Sequence, residues 1–321
     1  MGKTDRAEVT IIVPVRDRAT IVGRTLTSIA AQTHRPLRLI LVDNGSTDGT
    51  MATLSQFKSD HERGRLTVDV LSEPRPGATV ARNTGLKAAK SEWVMFFDSD
   101  DTMEPGLVEA YMSKIATSSP EPDIVVTRCD AVLPGGRMRR LPYFECHDDP
   151  MKYQLFDSIL STQRFMVRRG LLEAAGGWNE SLPRWNDWEL GVRLLLQRPR
   201  LIFMGERTLV HTFFTPVSIT GASKAERCGD WELSLDAVEA LLRQSDLTAR
   251  ERYLKYVECR RVILAGTYKR EGHREQARRL MAQVMSRAGS NAATRLIFPV
   301  MFRWTGMGLP GASRMAKALI R

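Results

Sequence analysis

The stretch Trp93–Thr102, W-V-M-F-F-D-S-D-D-T, joins a short apolar strand to three carboxylates. These belong to Asp98, Asp100 and Asp101. Carboxylates this close raise one another's pKa, so the cluster favours a bound divalent cation. Alternatively, Ser99 or Asp101 caps a following helix, although capping needs one side chain and leaves two carboxylates unexplained. The stretch therefore predicts a buried strand that ends at a binding site.

Strand and helix patterns alternate on the amino-terminal side of this strand. Strands are predicted at Val9–Val15, Leu37–Val42 and Leu66–Leu71, and helices at Ala19–Gln32, Thr50–Phe57 and Thr79–Ala89. This alternation is typical of right-handed crossovers in a mainly parallel sheet. Ligands bind such sheets beyond the carboxyl ends of the strands. Asp43, after the second strand, and Asp98, after the fourth, are therefore expected to face one crevice.

The remainder of the chain becomes progressively helical. Its predicted elements are a hairpin at Pro134–Gly136, a helix at Gly170–Ala175, a helix opened by Asp187, short strands at Leu201–Met204 and Thr208–Thr212, and helices at Asp230–Gln244, Thr248–Arg270 and His273–Arg287. We expect a catalytic domain over residues 1–222 and a basic helical region over residues 223–321.

Composition excludes several classes of protein. With 321 residues and 43% hydrophobic content, the chain can bury a large core. Its cysteines show no C-x-x-C spacing, so neither a disulfide framework nor a thiolate zinc site is predicted; they are Cys129, Cys146, Cys228 and Cys259. We find no signal peptide and no apolar run of the ~20 residues that a spanning helix needs. A cytoplasmic location is expected.

The basic charge is concentrated near the carboxyl terminus. The net charge is +10, and residues 248–321 contain 16 basic and 4 acidic side chains. In Ala292–Arg321, the charged residues that interrupt the apolar and aromatic ones are all cations. Such a segment either lies on an anionic membrane surface, here the inner face of the cell membrane, or packs on the folded protein with a solvated basic face. No nucleic acid partner is expected, because no binding motif for one is present.

Five sequence blocks occur in order between Val9 and about Leu196. They are V-T-I-I-V-P-V-R-D-R, L-I-L-V-D-N-G-S-T-D-G-T, G-A-T-V-A-R-N-T-G-L, F-F-D-S-D-D and G-G-W-N-E-S-L-P-R-W-N-D-W-E-L. Together they resemble the family 2 glycosyltransferases. The resemblance implies an α/β fold of GT-A type, with a Rossmann-like, mainly parallel sheet and here an all-helical carboxyl-terminal extension.

The resemblance also implies a reaction. A sugar would pass with inversion from a nucleotide diphosphate donor, a UDP-sugar, to a hydroxyl group of a glycan or lipid-linked acceptor, in cell-surface polysaccharide or glycolipid assembly. For the donor, the backbone at Pro14 and Val15 would approach the nucleotide and Asp43 would accept a hydrogen bond from the base. Asp98 would bind the ribose. Arg82 would support this site electrostatically, unless it is an ordinary solvated arginine.

Further roles follow from the same resemblance. Asp17 stands where the family more often has asparagine, and Asn44 where it often has aspartate. Asp100 would ligate Mn²⁺ or Mg²⁺ together with the diphosphate, since these hard ions prefer oxygen ligands. His211, in the strand T-L-V-H, would be a further metal ligand or else a packed strand residue.

The acceptor side is implied by the pair Asn186-Asp187. Asp187 would act as the catalytic base that takes the proton of the acceptor hydroxyl, with Glu189 as the second candidate; otherwise Asp187 only caps a helix. Trp185 and Trp188 would stack on sugar rings or pack the loop.

Two alternative functions remain. F-F-D-S-D-D-T also matches the D-x-D-x-T signature of haloacid-dehalogenase-like phosphatases, with Asp98 as nucleophile and Asp100 as acid and base. In that family the motif usually closes the first strand, whereas here strand–helix units precede it. The other alternative is a non-catalytic scaffold that binds sugar nucleotides.

Overall fold

The structure is a computed structural model that describes residues 8–61, 66–141, 149–213, 228–287, 292–312, 314 and 316. The chain forms two compact units. The sheet unit comprises Met1–Glu145, Ile159–Pro183 and Leu194–Thr215, and the helical unit comprises Cys146–Ser158, Arg184–Arg193 and Pro216–Arg321. The predicted domain boundary at residue 222 lies outside the described residues and stays a prediction.

The sheet unit contains one mixed sheet. Its strands are β1 (Val9–Val15), β2 (Leu37–Asp43), β3 (Leu66–Ser72), β4 (Trp93–Phe96), β5 (Thr102–Met103), β6 (Ile124–Val132), β7 (Met138–Arg140), β8 (Phe165–Arg168) and β9 (Leu201–Phe213). The strand order is β3-β2-β1-β4-β8-β6-β9-β5, and β7 pairs with β6 as the predicted hairpin. Strands β3, β2, β1 and β4 are parallel, and β8 is antiparallel to both of its neighbours. The crossover pattern predicted from the first blocks is thereby confirmed.

The helices follow the same chain order. They are α1 (Val22–Ala30), α2 (Thr50–His61), α3 (Ala78–Ala88), α4 (Leu107–Ala116), α5 (Pro150–Asp157), α6 (Arg169–Ala174), α7 (Asn186–Leu196), α8 (Cys228–Gln244), α9 (Arg250–Arg270), α10 (Arg274–Arg287) and α11 (Ala292–Gly306). In the part of the chain with described coordinates, no helix combines the length and apolar character needed to cross a membrane.

Three sequence-based expectations need correction. The two short strands predicted at 201–204 and 208–212 form one strand, β9, because shifts in its register with β6 absorb the polar residues between them. Helix α7 begins at Asn186 rather than at Asp187. Gly106 occupies the N-cap position of α4, so neither Ser99 nor Asp101 caps that helix.

Strands β1, β2 and β4 are buried on both faces, which explains their continuous apolar runs, whereas β3 has exposed residues. Ile11, Ile12 and Val13 in β1 have no exposed surface. Helix α3 packs so closely on this strand that a Cβ atom on Gly85 would lie 2.4 Å from Ile12 Cγ2. Gly85, the second glycine in G-A-T-V-A-R-N-T-G-L, is therefore required by helix–sheet packing.

Helix α9 is the centre of the helical unit and packs against α5, α8, α10 and α11. Arg261 in α9 is 1% exposed and bonds to carboxylates of Asp236, Glu239 and Glu258 at 2.6–2.8 Å. A buried charge is tolerated when partners surround it in this way. Cys259, also in α9, is a buried free thiol, as is Cys129 in the sheet unit; Cys146 and the side chain of Cys228 lie outside the described residues.

Helix α11 shows that the first part of the carboxyl-terminal tail packs on α9. Its buried side chains are Thr294, Phe298, Met301 and Thr305. The opposite face carries Leu296, Val300 and Trp304, which are 72%, 47% and 39% exposed. The packing alternative is therefore right for one face of α11, and the other face is an exposed apolar stripe.

Alanine at Gly85 tests the close approach of α3 to β1. We expect Gly85→Ala to lower the free energy of unfolding by about 1–3 kcal/mol, the usual cost of overpacking. The matched change is Gly23→Ala in α1, where no described atom outside the neighbouring residues and the helix's own backbone lies within 4 Å of the added Cβ. It should be neutral or stabilising by up to about 1 kcal/mol because alanine favours helix. Urea unfolding of both variants measures the difference, and equal midpoints would disprove the close approach.

Candidate active site

The carboxyl ends of β1 and β2 place three of the predicted donor residues side by side. Pro14 pairs with Val42, and Val15 pairs with Asp43. Asp43 is only 4% exposed; its Oδ2 accepts a hydrogen bond from the backbone N–H of Ser46 at 3.2 Å. Its Oδ1 is buried and has no hydrogen-bond partner in the described part of the chain. A buried acceptor left unpaired is costly, so this oxygen marks a place for a donor group.

Asn44 holds the loops around this edge together. Its Nδ2 donates to the carbonyls of Glu73 and Arg75 at 2.9 and 2.7 Å, and its Oδ1 accepts from the N–H of Gly77 at 2.8 Å. A carboxylate could not make the two donor contacts. Asparagine therefore stands here, in place of the family's usual aspartate, because its amide N–H groups hold the loops together.

Asp17 links the loops that follow β1 and β2. It has a φ of +50°, and its Oδ1 accepts a hydrogen bond from the N–H of Thr47 at 2.8 Å. This hydrogen bond lowers the pKa of Asp17, although desolvation opposes the shift. The exposed carboxylate stays charged at the rim of the same edge.

Arg82 reaches the acidic cluster from α3. Its side chain is only 6% exposed. The alternative considered from the sequence, an ordinary solvated arginine, is therefore wrong. One Nη donates to Asp98 Oδ1 at 2.8 Å, and the guanidinium lies 4.4 Å from the centre of the Trp178 ring. The ion pair and the aromatic face together fix the direction of both charged groups.

The neighbouring Asn83 joins two of the sequence blocks. Its Nδ2 donates to the Trp178 carbonyl at 2.9 Å, and its Oδ1 accepts from the Trp178 N–H at 2.8 Å. Gly177, with a φ of +70°, would place a Cβ 2.7 Å from that Oδ1. The A-R-N and G-G-W motifs are therefore two halves of one contact, a relation that the sequence spacing did not reveal.

The three carboxylates of the opening stretch have different environments. Asp101 is buried and accepts hydrogen bonds from the Phe213 N–H at 2.9 Å and Gln163 Nε2 at 2.6 Å. Burial, followed by the charges of Asp98 and Asp100, raises its pKa well above the usual value. Burial and the Asp98 charge also raise the pKa of Asp100. Asp101 is thus a structural link, and Asp98 and Asp100 are the partly exposed members.

His211 lies in β9 opposite Thr102 of β5. Its Nε2 lies 2.8 Å from Glu104 Oε1, and its Nδ1 is buried without a hydrogen-bond partner among the described residues. Within the described ranges, no group of three or more His, Cys, Asp or Glu side chains is arranged around a metal position. The oxygen donors of Asp98 and Asp100 suit Mn²⁺ or Mg²⁺ chemically, because their mutual repulsion would be relieved by a cation.

Sequence reasoning missed a charged network beside Asn44. Arg75 donates to Glu73 and, at 3.1 Å, to Glu180, and Thr84 donates to Glu73 at 2.7 Å. These hydrogen bonds, Arg75 first, lower the pKa of Glu73 to about 2. Arg75 and Glu180 are 105 positions apart in the sequence, so only the fold brings them together.

The predicted acceptor residues lie in the helical unit. Asp187 is partly exposed in the first turn of α7, and its Oδ1 accepts a hydrogen bond from the Trp188 N–H at 2.8 Å. Glu189 is 2% exposed, and both of its oxygens bond to Arg193 at 2.7 Å. Of the two carboxylates proposed as base, Asp187 therefore has the more accessible side chain.

The two tryptophans also differ. Trp188 has no exposed surface, so its ring packs inside the helical unit. Trp185 is partly exposed and has a φ of +46°, a rare backbone conformation for an aromatic residue. The guanidinium of Arg260 lies 4.3 Å from the Trp185 ring centre and 4.5 Å from that of Trp188.

Comparison with known proteins gives this arrangement a family. Similar curated proteins include the uncharacterised glycosyltransferase YibD of Escherichia coli, 29% identical over 41% of this chain and 35% of its own length. The pre-mycofactocin glycosyltransferase of Mycobacterium tuberculosis is 26% identical over 68% of this chain and 47% of its length. The putative teichuronic acid biosynthesis glycosyltransferase TuaG of Bacillus subtilis is 36% identical over 32% and 39%. The chain spans less than half the length of these relatives.

Solved structures share the fold. TarS of S. aureus in complex with UDP-GlcNAc has a TM-score of 0.65 at 17% identity, covering 97% of this chain and 90% of that one. The mannosyltransferase PcManGT from Pyrobaculum calidifontis, in complex with GDP-Man and Mn²⁺, has a TM-score of 0.59 at 18% identity, covering 98% and 87%. These similarities confirm the predicted GT-A fold class with its helical carboxyl-terminal region.

The family model for "Glycosyl transferase family 2" matches residues 10–174. The matched region contains F-F-D-S-D-D, so the assignment of that motif to a dehalogenase-like phosphatase is wrong. It also contains the edge formed by Val15 and Asp43 and the contact between α3 and the acidic cluster. The chain belongs to glycosyl transferase family 2.

Proposed function

We propose that the protein transfers a sugar, with inversion and with the help of a divalent metal, from a UDP-sugar to a hydroxyl group of an acceptor. The observation that carries the proposal is the buried, unpaired Oδ1 of Asp43 at the carboxyl edge of β1 and β2. A uracil imide N–H is a single neutral donor of the kind this oxygen lacks. The nucleotide complexes of TarS and PcManGT support a nucleotide sugar as donor.

The second oxygen of Asp43 favours uracil over guanine. Guanine offers two adjacent N–H donors, which match a carboxylate best when both of its oxygens lack partners; here Oδ2 already accepts one hydrogen bond from Ser46, and uracil needs only Oδ1. Cytosine carries a lone pair at the position of the uracil imide N–H and would repel Oδ1. In this proposal Pro14 and Val15 shape the base site, Asp98 binds the ribose, and Arg82 holds Asp98 in place.

Asp100 is proposed to hold Mn²⁺ or Mg²⁺ together with diphosphate oxygens. The bound ion would supply positive charge for the departing diphosphate. The complex of PcManGT with GDP-Man and Mn²⁺ supports a divalent ion. Nε2 of His211 contacts Glu104 and its Nδ1 is buried, so we assign the metal to the partly exposed Asp100 and leave His211 as a sequence-based candidate.

The transfer step needs a base for the acceptor. Asp187 takes the hydroxyl proton as the acceptor oxygen bonds to the anomeric carbon and the bond from that carbon to the diphosphate breaks on the opposite side. No covalent enzyme intermediate forms. The amino-terminal turn of α7 favours the charged carboxylate that this role requires. The name of the relative TuaG supports an acceptor in cell-surface polysaccharide or glycolipid assembly.

Nucleotide binding tests the donor site. We expect calorimetry to show that UDP binds at least about tenfold more tightly than CDP or GDP, because an unpaired buried polar group penalises the wrong base. Asp43→Asn should reduce this preference, since the amide can donate where the carboxylate only accepts. Mn²⁺ should tighten UDP binding, and Asp100→Ala should remove most of that gain.

Each variant is the control for the other. Asp43→Asn should keep the response to Mn²⁺, and Asp100→Ala should keep the preference for UDP. Asp60→Asn removes an exposed carboxylate in α2 whose side-chain contact is Gln56, and should change neither property. Equal binding of all three nucleotides to the wild type would overturn the assignment of Asp43.

The base is tested by Asp187→Asn. We expect the variant to bind UDP normally and to transfer sugar at least about 100-fold more slowly, the scale of general-base catalysis. Asparagine occupies helix amino-terminal turns as well as aspartate does, so an unchanged melting temperature separates chemistry from capping. Release of UDP from a panel of UDP-sugars with hydroxyl acceptors is the readout. Normal turnover by Asp187→Asn would mean that Asp187 has a structural role. If the wild type itself released no UDP with any UDP-sugar of the panel, the non-catalytic scaffold would be favoured.

We further propose that the exposed face of α11 rests on an anionic membrane, which would keep the protein peripheral at the inner face of the cell membrane. Leu296, Val300 and Trp304 recur every four residues and form one stripe. Two exposed cations, Arg295 and Arg303, lie beside the stripe. Apolar burial and attraction to anionic lipid act together in such helices.

Vesicle sedimentation tests this surface. The protein should bind vesicles containing phosphatidylserine, and added salt should weaken the binding because surface charges are screened over roughly 8–10 Å at physiological ionic strength. The double change Leu296→Ser and Val300→Ser should reduce binding at least about tenfold. Leu233→Ser, at a 50% exposed leucine in α8, is the matched control. Equal binding of the double variant and the control would refute the membrane role of α11.

A further inference from the structure

The helical unit contains a cavity of about 200 Å³ between α5, the residue before α7, and α9. Its walls combine polar and apolar surface in about equal parts and are formed by Leu155, Phe156, Trp185, Arg260, Ile263, Leu264 and Thr267. A liquid water occupies about 30 Å³, so a space of this size has room for about six water molecules or a small charged group with a few carbons attached. Among the described lining residues, Arg260 is the one with a charged side chain.

Arg260 is held firmly but is not neutralised by direct contact. Its Nη1 donates to the Leu155 carbonyl at 2.8 Å and its Nη2 to Ser158 Oγ at 3.2 Å. Its Nε is buried without a hydrogen-bond partner, and in the described ranges no carboxylate oxygen lies within 4 Å of its guanidinium nitrogens. The indole rings of Trp185 and Trp188 cover it on two sides.

The surroundings of Arg260 leave its charge incompletely compensated. Burial lowers the pKa of Arg260 to about 10, and the charges of Asp187 and Asp157 counteract this only in part. The side chain of Arg260 is partly exposed, but its Nε is enclosed, and an arginine that loses so much of its hydration usually has a paired anion. Arg261, the next residue, shows the usual solution, since three carboxylates bond to it.

Trp185 adds a second sign of a binding site. A left-handed backbone at a bulky residue is strained, and such strain recurs at ligand clamps; Trp185 has a φ of +46°. This residue stacks edge-on against Trp231 at 4.9 Å and forms one wall of the cavity. It also directly precedes Asn186 and Asp187, so a ligand in the cavity would lie beside the start of α7.

We propose that this cavity binds an anionic group of the acceptor, a phosphate or a carboxylate attached to a small apolar body. Arg260 supplies the charge and its unused N–H groups, and Trp185 and Leu264 supply the apolar walls, whereas the Thr267 hydroxyl already donates to the Ile263 carbonyl at 3.0 Å. The inference rests on the proposed function, because it names the chemical class of the acceptor that Asp187 would deprotonate.

Intrinsic tryptophan fluorescence tests the site, since Trp185 lines it. The probes are butyl phosphate, butyrate, inorganic phosphate and butanol, each titrated into the full chain. Saturable quenching by butyl phosphate or butyrate, at least about tenfold stronger than by inorganic phosphate or butanol, is expected; the stronger of the first two identifies the anion. Equal quenching by butanol would mean an apolar cavity without anion recognition and would overturn the proposal.

Variants locate the binding. Arg260→Gln should weaken butyl phosphate or butyrate binding at least about tenfold, whereas Arg278→Gln, which removes an exposed cation from α10, should have no effect. Ile263→Trp keeps every charge and narrows the cavity, so it should also weaken binding even where Arg260→Gln unfolds the protein. Unchanged binding in Ile263→Trp would exclude the cavity.

The donor experiments separate this inference from the proposed function. Arg260→Gln and Ile263→Trp, when folded, should bind UDP as the wild type does. Normal UDP binding with no binding of the anionic probes would overturn the acceptor site alone. Binding of the probes by a protein that does not bind UDP would overturn the proposed function and leave the cavity as an anion site of other purpose.

Discussion

The contact between the Asn83 side chain and the Trp178 backbone is the constraint on which the donor side of the sheet unit depends. A single amide satisfies both polar groups of one peptide residue, and Gly177 has no side chain to obstruct it. This pair fixes the Trp178 ring next to Arg82, and Arg82 in turn bonds to Asp98. The position of the ribose candidate therefore depends on one contact between residues 16 positions apart and on another between residues 95 positions apart in the chain.

The three carboxylates of the acidic cluster have different environments: Asp101 is buried and hydrogen-bonded, whereas Asp98 and Asp100 are partly exposed to solvent. Asp101 is enclosed by hydrogen bonds from Phe213 and Gln163, which tie the loop after β4 to other parts of the sheet unit. Asp98 is paired with Arg82, and Asp100 remains with a raised pKa. Asp100 is thus the partly exposed carboxylate of the cluster for which the described residues supply no ion pair, and it is the one to which we assign the metal.

Two adjacent arginines in α9 show the same principle in the helical unit. Arg261 is surrounded by carboxylates and stabilises the packing of the helices. Arg260 is enclosed by indole rings, a carbonyl and a hydroxyl, and borders a cavity. Paired charge indicates architecture and unpaired buried charge indicates a binding site, a distinction that also applies to the oxygens of Asp43.

The sequence by itself determined the strand and helix order of the first hundred residues, because apolar periodicity follows directly from burial on one or both faces. It also placed Asp43 and Asp98 at the carboxyl edge of the sheet, since parallel strands end on the same side. It could not determine which polar groups find partners. Asp101 and Asp100, Arg260 and Arg261, and Trp185 and Trp188 are close neighbours of similar chemistry. Only the tertiary structure decides that one of each pair is buried or paired and the other faces a cavity or solvent, because these contacts join residues far apart along the chain.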